Sequence, residues 1–279
     1  MGASAARLAA RAGAAHRLKI NAEIVGRETG PDEQSIDARW LMAYSAGLGE
    51  REFPHPLFPV CYEWPATRQL RERAGLVPID ARLVHAQHDL TIHRAPKEEK
   101  LFITGKVVAA LQRRPGTLVV YRFITRDENK QLVSTTDFSA LYREVRLEGG
   151  DRTLAPVEDP PQHERSLNRV GEIAVSATAA HVYTECARIW NPIHTDVAYA
   201  RAAGLPDIIL HGTATLALSV SKVLRSLELN SIRRIRCRFA GMVTMPSTLT
   251  VHASRVDDRV AFETRGARGE AVIERGWIS

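Results

Sequence analysis

Asn191-Pro192-Ile193-His194-Thr195-Asp196, followed by Gly204 and then by Leu210-His211-Gly212-Thr213, is the stretch from which the rest of the chain can be read. Pro192 fixes φ and lacks an N–H, so it belongs in the first turn of a helix, with Asn191 as the N-cap. His194 then sits in that first turn. The helix is expected to run through Asp196 to Ala203 and to stop at Gly204, where a left-handed cap suits glycine, with Pro206 just beyond. From Ile208 to Leu229 the residues Ile209, Leu210, Leu216, Leu218, Val220, Val223, Leu224 and Leu227 are apolar around most of a helical circumference, the pattern of a helix buried on nearly all sides. Gly212 stands near its start, where unpaired N–H groups and the positive end of the helix dipole suit a polarised oxygen.

The order Asn191-Pro192-Ile193-His194-Thr195-Asp196, then Ala202-Ala203-Gly204, then Leu210-His211-Gly212 resembles the MaoC-like, (R)-specific enoyl-CoA hydratase family of hot-dog proteins. The likeness is strong over about Tyr183 to Leu224 and general elsewhere. It implies an α+β fold, a double hot-dog in which two antiparallel sheets each wrap a central helix. It further implies a hydratase or dehydratase acting on 2-enoyl or 3-hydroxyacyl thioesters, carried by coenzyme A or an acyl carrier protein. His194 would be the acid/base, and the Gly212 N–H the donor to the thioester oxygen. Asn191, Trp190, Ile189, His211 and Thr213 are expected to line the substrate site. Asn191 and Asp196 would hold the loop and the imidazole tautomer, and His211 would orient the central helix by hydrogen bonding.

One position departs from the family pattern. An aspartate is usual two residues before the asparagine, and this chain has Ile189, flanked by Arg188 and Trp190. Isoleucine cannot exchange a proton, so three readings stay open. Glu185, the nearest upstream carboxylate, replaces the missing acid; or His194 suffices; or the site binds without turnover. Two alternatives to hydration follow: an isomerase, cyclase or thioesterase-like enzyme on a polyketide-like substrate, and a non-catalytic subunit that binds acyl thioesters. None of these chemistries calls for a cofactor or metal.

The same succession of elements occurs twice. In the first copy Ile36 to Gly47 is helical in pattern and Leu57 to Arg73 can serve as a central helix. Extended stretches follow at Leu83 to Arg94, Leu101 to Leu111, Thr117 to Arg126 and Gln131 to Arg143. In the second, strands are expected at Ile232 to Phe239, Ser247 to Val256, Arg259 to Arg265 and Glu270 to Trp277. The division is therefore an N-terminal extension (1–19), an N-terminal hot-dog (20–147), a linker with Pro156, Pro160 and Pro161 (148–166) and a C-terminal hot-dog carrying the motif (167–279). The first copy lacks an Asn-Pro-x-His order. Its Tyr62, Glu63 and Trp64 either shape a pocket for the acyl tail or are half-buried helix residues without a ligand.

A chain of 279 residues that is 44% hydrophobic can bury one large core or two smaller ones. Three scattered cysteines, Cys61, Cys186 and Cys237, do not make a disulfide framework or zinc site, and a cytoplasmic location with reduced thiols is expected. No apolar run reaches the roughly 20 residues that span a bilayer, so no membrane partner is expected. Residues 1–19 are Ala- and Arg-rich with no acidic residue, the pattern of an amphipathic targeting segment or of a loosely held helix, and the low Ser content favours the helix. The net charge of +6 includes Arg234, Arg236 and Arg238, which alternate with Ile235, Cys237 and Phe239 as the wet face of one strand. A basic mouth for coenzyme A phosphates is the alternative, and nucleic acid is not an expected partner. His85, His88 and His93 share one strand candidate, and their uneven spacing is expected to divide them between its faces. By resemblance the chain is expected to be a monomer or homodimer.

Overall fold

Strict alternation around short turns builds most of the sheet, and continuous apolar stretches build the two helices that it wraps. A computed structural model describes residues 18–52, 54–163, 166–229 and 231–279. The N-terminal extension falls almost wholly outside these. The first half comprises β1 (Lys19–Asn21), β2 (Asp32–Ile36), α1 (Ala38–Gly47), α2 (Pro59–Arg73), β3 (Leu83–Ile92), β4 (Glu99–Arg113), β5 (Gly116–Asp127) and β6 (Leu132–Arg143). Two short strands, β7 (Arg146–Glu148) and β8 (Arg152–Thr153), lead into the second half. That half comprises β9 (Asn168–Val175), α3 (Ala179–Ala187), a 3-10 turn (Pro192–His194), α4 (Val197–Ala202), α5 (Gly212–Leu227), β10 (Arg234–Phe239), β11 (Ser247–Val256), β12 (Arg259–Arg265) and β13 (Ala271–Ile278).

The strand order β2-β4-β5-β6-β3 in the first half is repeated as β9-β11-β12-β13-β10 in the second. This is the expected double hot-dog, with one refinement. The two sheets are halves of a single antiparallel sheet of 11 strands, closed at the middle by β3 pairing with β10 from Thr91↔Arg234 to Gln87↔Arg238. Both strands directly follow the central helix of their own half, so the seam puts the two helices over one continuous surface.

Local chemistry explains the helix ends. Asp37 caps α1 by accepting from the Trp40 N–H at 2.7 Å. Helix α5 buries Ala214, Leu216, Ala217, Val220 and Val223, and also Thr215, Ser219 and Ser221. Two of these hydroxyls are satisfied inside the helix: Thr215 donates to the His211 carbonyl at 3.1 Å and Ser219 to the Thr215 carbonyl at 2.8 Å. The expected start at Ile208 is corrected, because Ile208 to Leu210 run extended and Ile209 bridges Thr244, so that Gly212 is the first helical residue. Glu228, at φ 50°, ends the helix in a left-handed cap.

The two halves also meet through their short helices. Tyr44 of α1 and Tyr183 of α3 bring their hydroxyls to 3.4 Å, and a Cβ on Gly47 would stand 2.8 Å from Cys186 Sγ. Gly47 is thus where the backbone of α1 lies against the Cys186 side chain of α3. His55 fastens the loop before α2 to α5: its Nδ1 accepts from the Leu57 N–H at 3.1 Å, so its Nε2–H donates to Ser221 at 3.0 Å. The linker crosses the outer face of the seam, with Gln87 donating to Asp159 and the Trp277 indole donating to the Pro161 carbonyl at 2.8 Å. No helix among the described residues is long and apolar enough to cross a membrane.

Candidate active site

The motif makes two short helices where one was expected. Asn191 caps the 3-10 turn by accepting from the Ile193 N–H at 3.4 Å. Asp196 then adopts an extended conformation and caps α4, accepting from the Tyr199 N–H at 2.9 Å. A second capping residue three positions after Ile193 is what breaks the helix. Asp196 therefore holds α4 and not the imidazole tautomer. That task falls to the Ile209 carbonyl, 2.8 Å from His194 Nδ1. A carbonyl only accepts, so Nδ1 carries the proton and Nε2 is left as the basic nitrogen. The extended segment holding Ile209 is anchored by the Leu210 N–H donating to the Val243 carbonyl at 2.8 Å.

His194 is 9% exposed and stacks on His211, with ring centroids 3.6 Å apart. Burial pushes its pKa down to about 4, against the opposing pull of the Ile209 carbonyl. His211 is pushed well below the usual imidazole range, first by burial and then by His194. Its Nε2 lies 3.3 Å from Thr184 Oγ1 of α3, and Tyr183 packs on its other side at 5.0 Å between centroids. His211 thus ties the motif to α3 while preceding Gly212. The Gly212 N–H is the first of the N–H groups that a helix leaves without an internal acceptor. A neutral base and a helix N-terminus therefore sit one residue and one ring thickness apart.

The remaining candidate residues are dispersed. Ile189 is buried directly after Arg188, which closes α3 at φ 57° and lays its guanidinium 4.1 Å over the Trp40 ring. Trp190 is 61% exposed, and Thr213 lies in the first turn of α5. Glu185 is exposed on α3, so the structure does not bring it to the buried His194. Tyr62 is fully buried in the first half and meets Ser134 Oγ at 3.0 Å, and Trp64 is half-buried under Arg71. Neither touches the motif. Glu63, beside them, is 3% exposed and accepts from Thr136 at 2.7 Å, while burial pushes its pKa up to about 8.

The strands correct one expectation and agree with another. Of the three histidines expected to divide between faces, His85 and His88 share one, because a bulge between His85 and Gln87 returns His85 to the face of His88, with the rings 5.4 Å apart, while His93 lies past the end of β3 and meets Thr135. A register shift leaves no mark in composition, so only the pairing reveals it. The arginines of β10 are paired, with Arg234 donating twice to Asp89, Arg236 Nε 2.9 Å from Asp89 and Arg238 beside Glu274. They form a solvated outer face. A cavity of about 320 Å³ under the linker is lined by Arg234, Arg236 and Asp89 together with His88, Arg122 and Asp137.

Residues 158–275 match the model of the family described as MaoC like domain. Over 218 residues the chain is 28% identical to peroxisomal multifunctional enzyme type 2 of Mus musculus, which covers 75% of this chain and 29% of that protein. It is 33% identical over 90 residues to enoyl-CoA hydratase ChsH3 of Mycobacterium tuberculosis, covering 31% of this chain and 32% of the relative. The chain thus spans about a third or less of the curated relatives it matches. A solved MaoC-like dehydratase from Phytophthora capsici superposes with a TM-score of 0.78 at 20% identity, over 91% of this chain and 95% of that one, a likeness of fold.

Proposed function

We propose that this chain, whose residues 158–275 match the MaoC like domain model, adds water to, or removes it from, an acyl thioester, with His194 as the single acid/base. The observation that carries this reading is the commitment of His194 Nδ1 to the Ile209 carbonyl, which leaves Nε2 unprotonated beside the Gly212 helix terminus. In the hydration direction the 2-enoyl thioester rests its carbonyl oxygen on the Gly212 N–H. Water attacks C3 while Nε2 takes its proton, and the electron pair of the C2=C3 bond moves toward the thioester oxygen, where the N–H and helix dipole stabilise it. The imidazolium then returns the proton to C2, giving the 3-hydroxyacyl thioester. Hydrogen and hydroxyl are added in equal number, and the histidine ends as it began.

A single base fits the surroundings. Ile189 offers no proton and Glu185 faces solvent. The low pKa of His194 makes its conjugate acid a strong one, which favours prompt return of the proton to C2. The relatives named as enoyl-CoA hydratases support coenzyme A as the carrier. The test is product analysis on a panel of 2-enoyl-CoAs with the wild type and Glu185→Gln. Gain of one water by both supports the reading, and loss of turnover in Glu185→Gln would assign the acid to the surface carboxylate. An unchanged or cleaved substrate mass would point to isomerisation or hydrolysis.

A further inference from the structure

The bulge in β3 produces a feature that proton transfer at the thioester does not use. His88 is 1% exposed, and neither of its ring nitrogens has a hydrogen-bond partner among the described residues; the Nε2 of His85 is likewise buried and unpartnered. Buried polar atoms are satisfied in the great majority of cases, so three in two touching side chains call for an explanation. Their neighbours are aromatic. His85 stacks on Phe138 at 3.9 Å and lies 4.5 Å from Phe239, centroid to centroid. Phe239 in turn lies against Gly212, where a Cβ would meet its ring at 3.4 Å. A chain of contacts from Gly212 into the first half therefore runs through Phe239, then His85, then His88.

We propose that His85 and His88 form a subsite for an oxygen substituent, a hydroxyl or keto group, carried on the acyl chain away from the reacting C2 and C3. The proposal rests on the reading of Gly212 as the thioester end. A plain alkyl chain would leave these nitrogens unsatisfied, whereas a hydroxyl can donate to one imidazole and accept from the other, and a keto oxygen can accept from either. Both rings are held neutral by burial, His88 with its pKa near 4, so at neutral pH His88 presents one donor and one acceptor and His85 adds its free Nε2. Metal binding is the weaker use of the pair, since the described residues contain no group of three His, Cys, Asp or Glu side chains that converge.

The test is equilibrium binding, so it does not depend on turnover. Saturated acyl-CoAs of one chain length, unsubstituted or with a hydroxyl moved outward from C5, are titrated calorimetrically into wild type, His88→Leu and His85→Phe, each checked for folding by its thermal transition. Wild type should prefer at least one hydroxylated chain by about tenfold or more, the scale of one buried hydrogen bond that the analogue cannot make. Either substitution should remove that preference. The proposal is overturned by a wild type that prefers no hydroxylated chain, or by a preference that survives in both variants. If hydration fails while the preference holds, the subsite stands and the catalytic reading falls. If no acyl-CoA binds at all, both fall.

Discussion

Buried histidines and one buried carboxylic acid give this fold opposing responses to pH, and their balance predicts a stability maximum near pH 6.5. Burial lowers His55 to about 3 and His88 and His194 each to about 4 from 6.5, so in acid the unfolded chain binds protons that the folded one refuses. Their stabilisation is complete above pH 6.5 and is lost as pH falls toward the folded values. Glu63 has the opposite sign. Raised from 4.5 to about 8, it is protonated only in the folded state through that interval, so it stabilises increasingly as pH falls from 8 to 4.5. One pKa unit is worth about 1.4 kcal/mol. Between pH 6.5 and 4.5 three losses work against one gain, a net loss on the order of 3 kcal/mol per pH unit. His85 and His211, also shifted downward, steepen it. Between pH 6.5 and 8 only Glu63 changes, and stability falls by about 2 kcal/mol. Urea unfolding followed by circular dichroism at pH 5, 6.5 and 8 measures this. The variant Glu63→Gln, with no group to titrate, should abolish the alkaline decline and keep the acid one. Equal or greater stability at pH 5 than at pH 6.5, or an alkaline decline that survives in Glu63→Gln, would refute the reasoning.

Other consequences can be checked separately. Gly47→Ala places a methyl 2.8 Å from Cys186 Sγ and should destabilise by about 1–3 kcal/mol in denaturant unfolding. The acid limb of kcat/KM should fall near pH 4 and not near 6.5, because His194 stays neutral down to that range; a limb at 6.5 would identify a different base. Ser221→Ala removes the partner of the His55 Nε2–H and should cost about 1–3 kcal/mol, read as a lower thermal transition with little change in substrate KM.

Strong alternation made much of the second half legible. The structure reproduces Ser247–Val256 and Arg259–Arg265 as expected, since Asp257 and Asp258 form a polar turn between two patterned strands. Strand β9 escaped notice because Asn168–Val175 interrupts its pattern with Gly171 at φ 149°, and α3 because its nine residues are too few for a clear helical period. The break of the motif helix at Asp196 was readable in principle, as aspartate is a strong N-cap, but Pro192 and Gly204 frame a single helix equally well. Features that depend on long-range pairing left no such trace. The seam of β3 with β10, the bulge that reunites His85 with His88, and the Ile209 carbonyl that sets the His194 tautomer all arise from contacts remote in sequence or from register. Of the site, the motif pointed to His194 and Gly212, whereas the exposure of Glu185 depends on which side of α3 faces solvent.

The most direct test of the catalytic proposal follows loss of the enoyl-thioester absorbance of crotonyl-CoA and longer 2-enoyl-CoAs with wild type and His194→Ala. With His194 as the single acid/base, wild type turns over and the folded variant is slower by about a hundredfold or more. A folded His194→Ala protein that hydrates at the wild-type rate would contradict it.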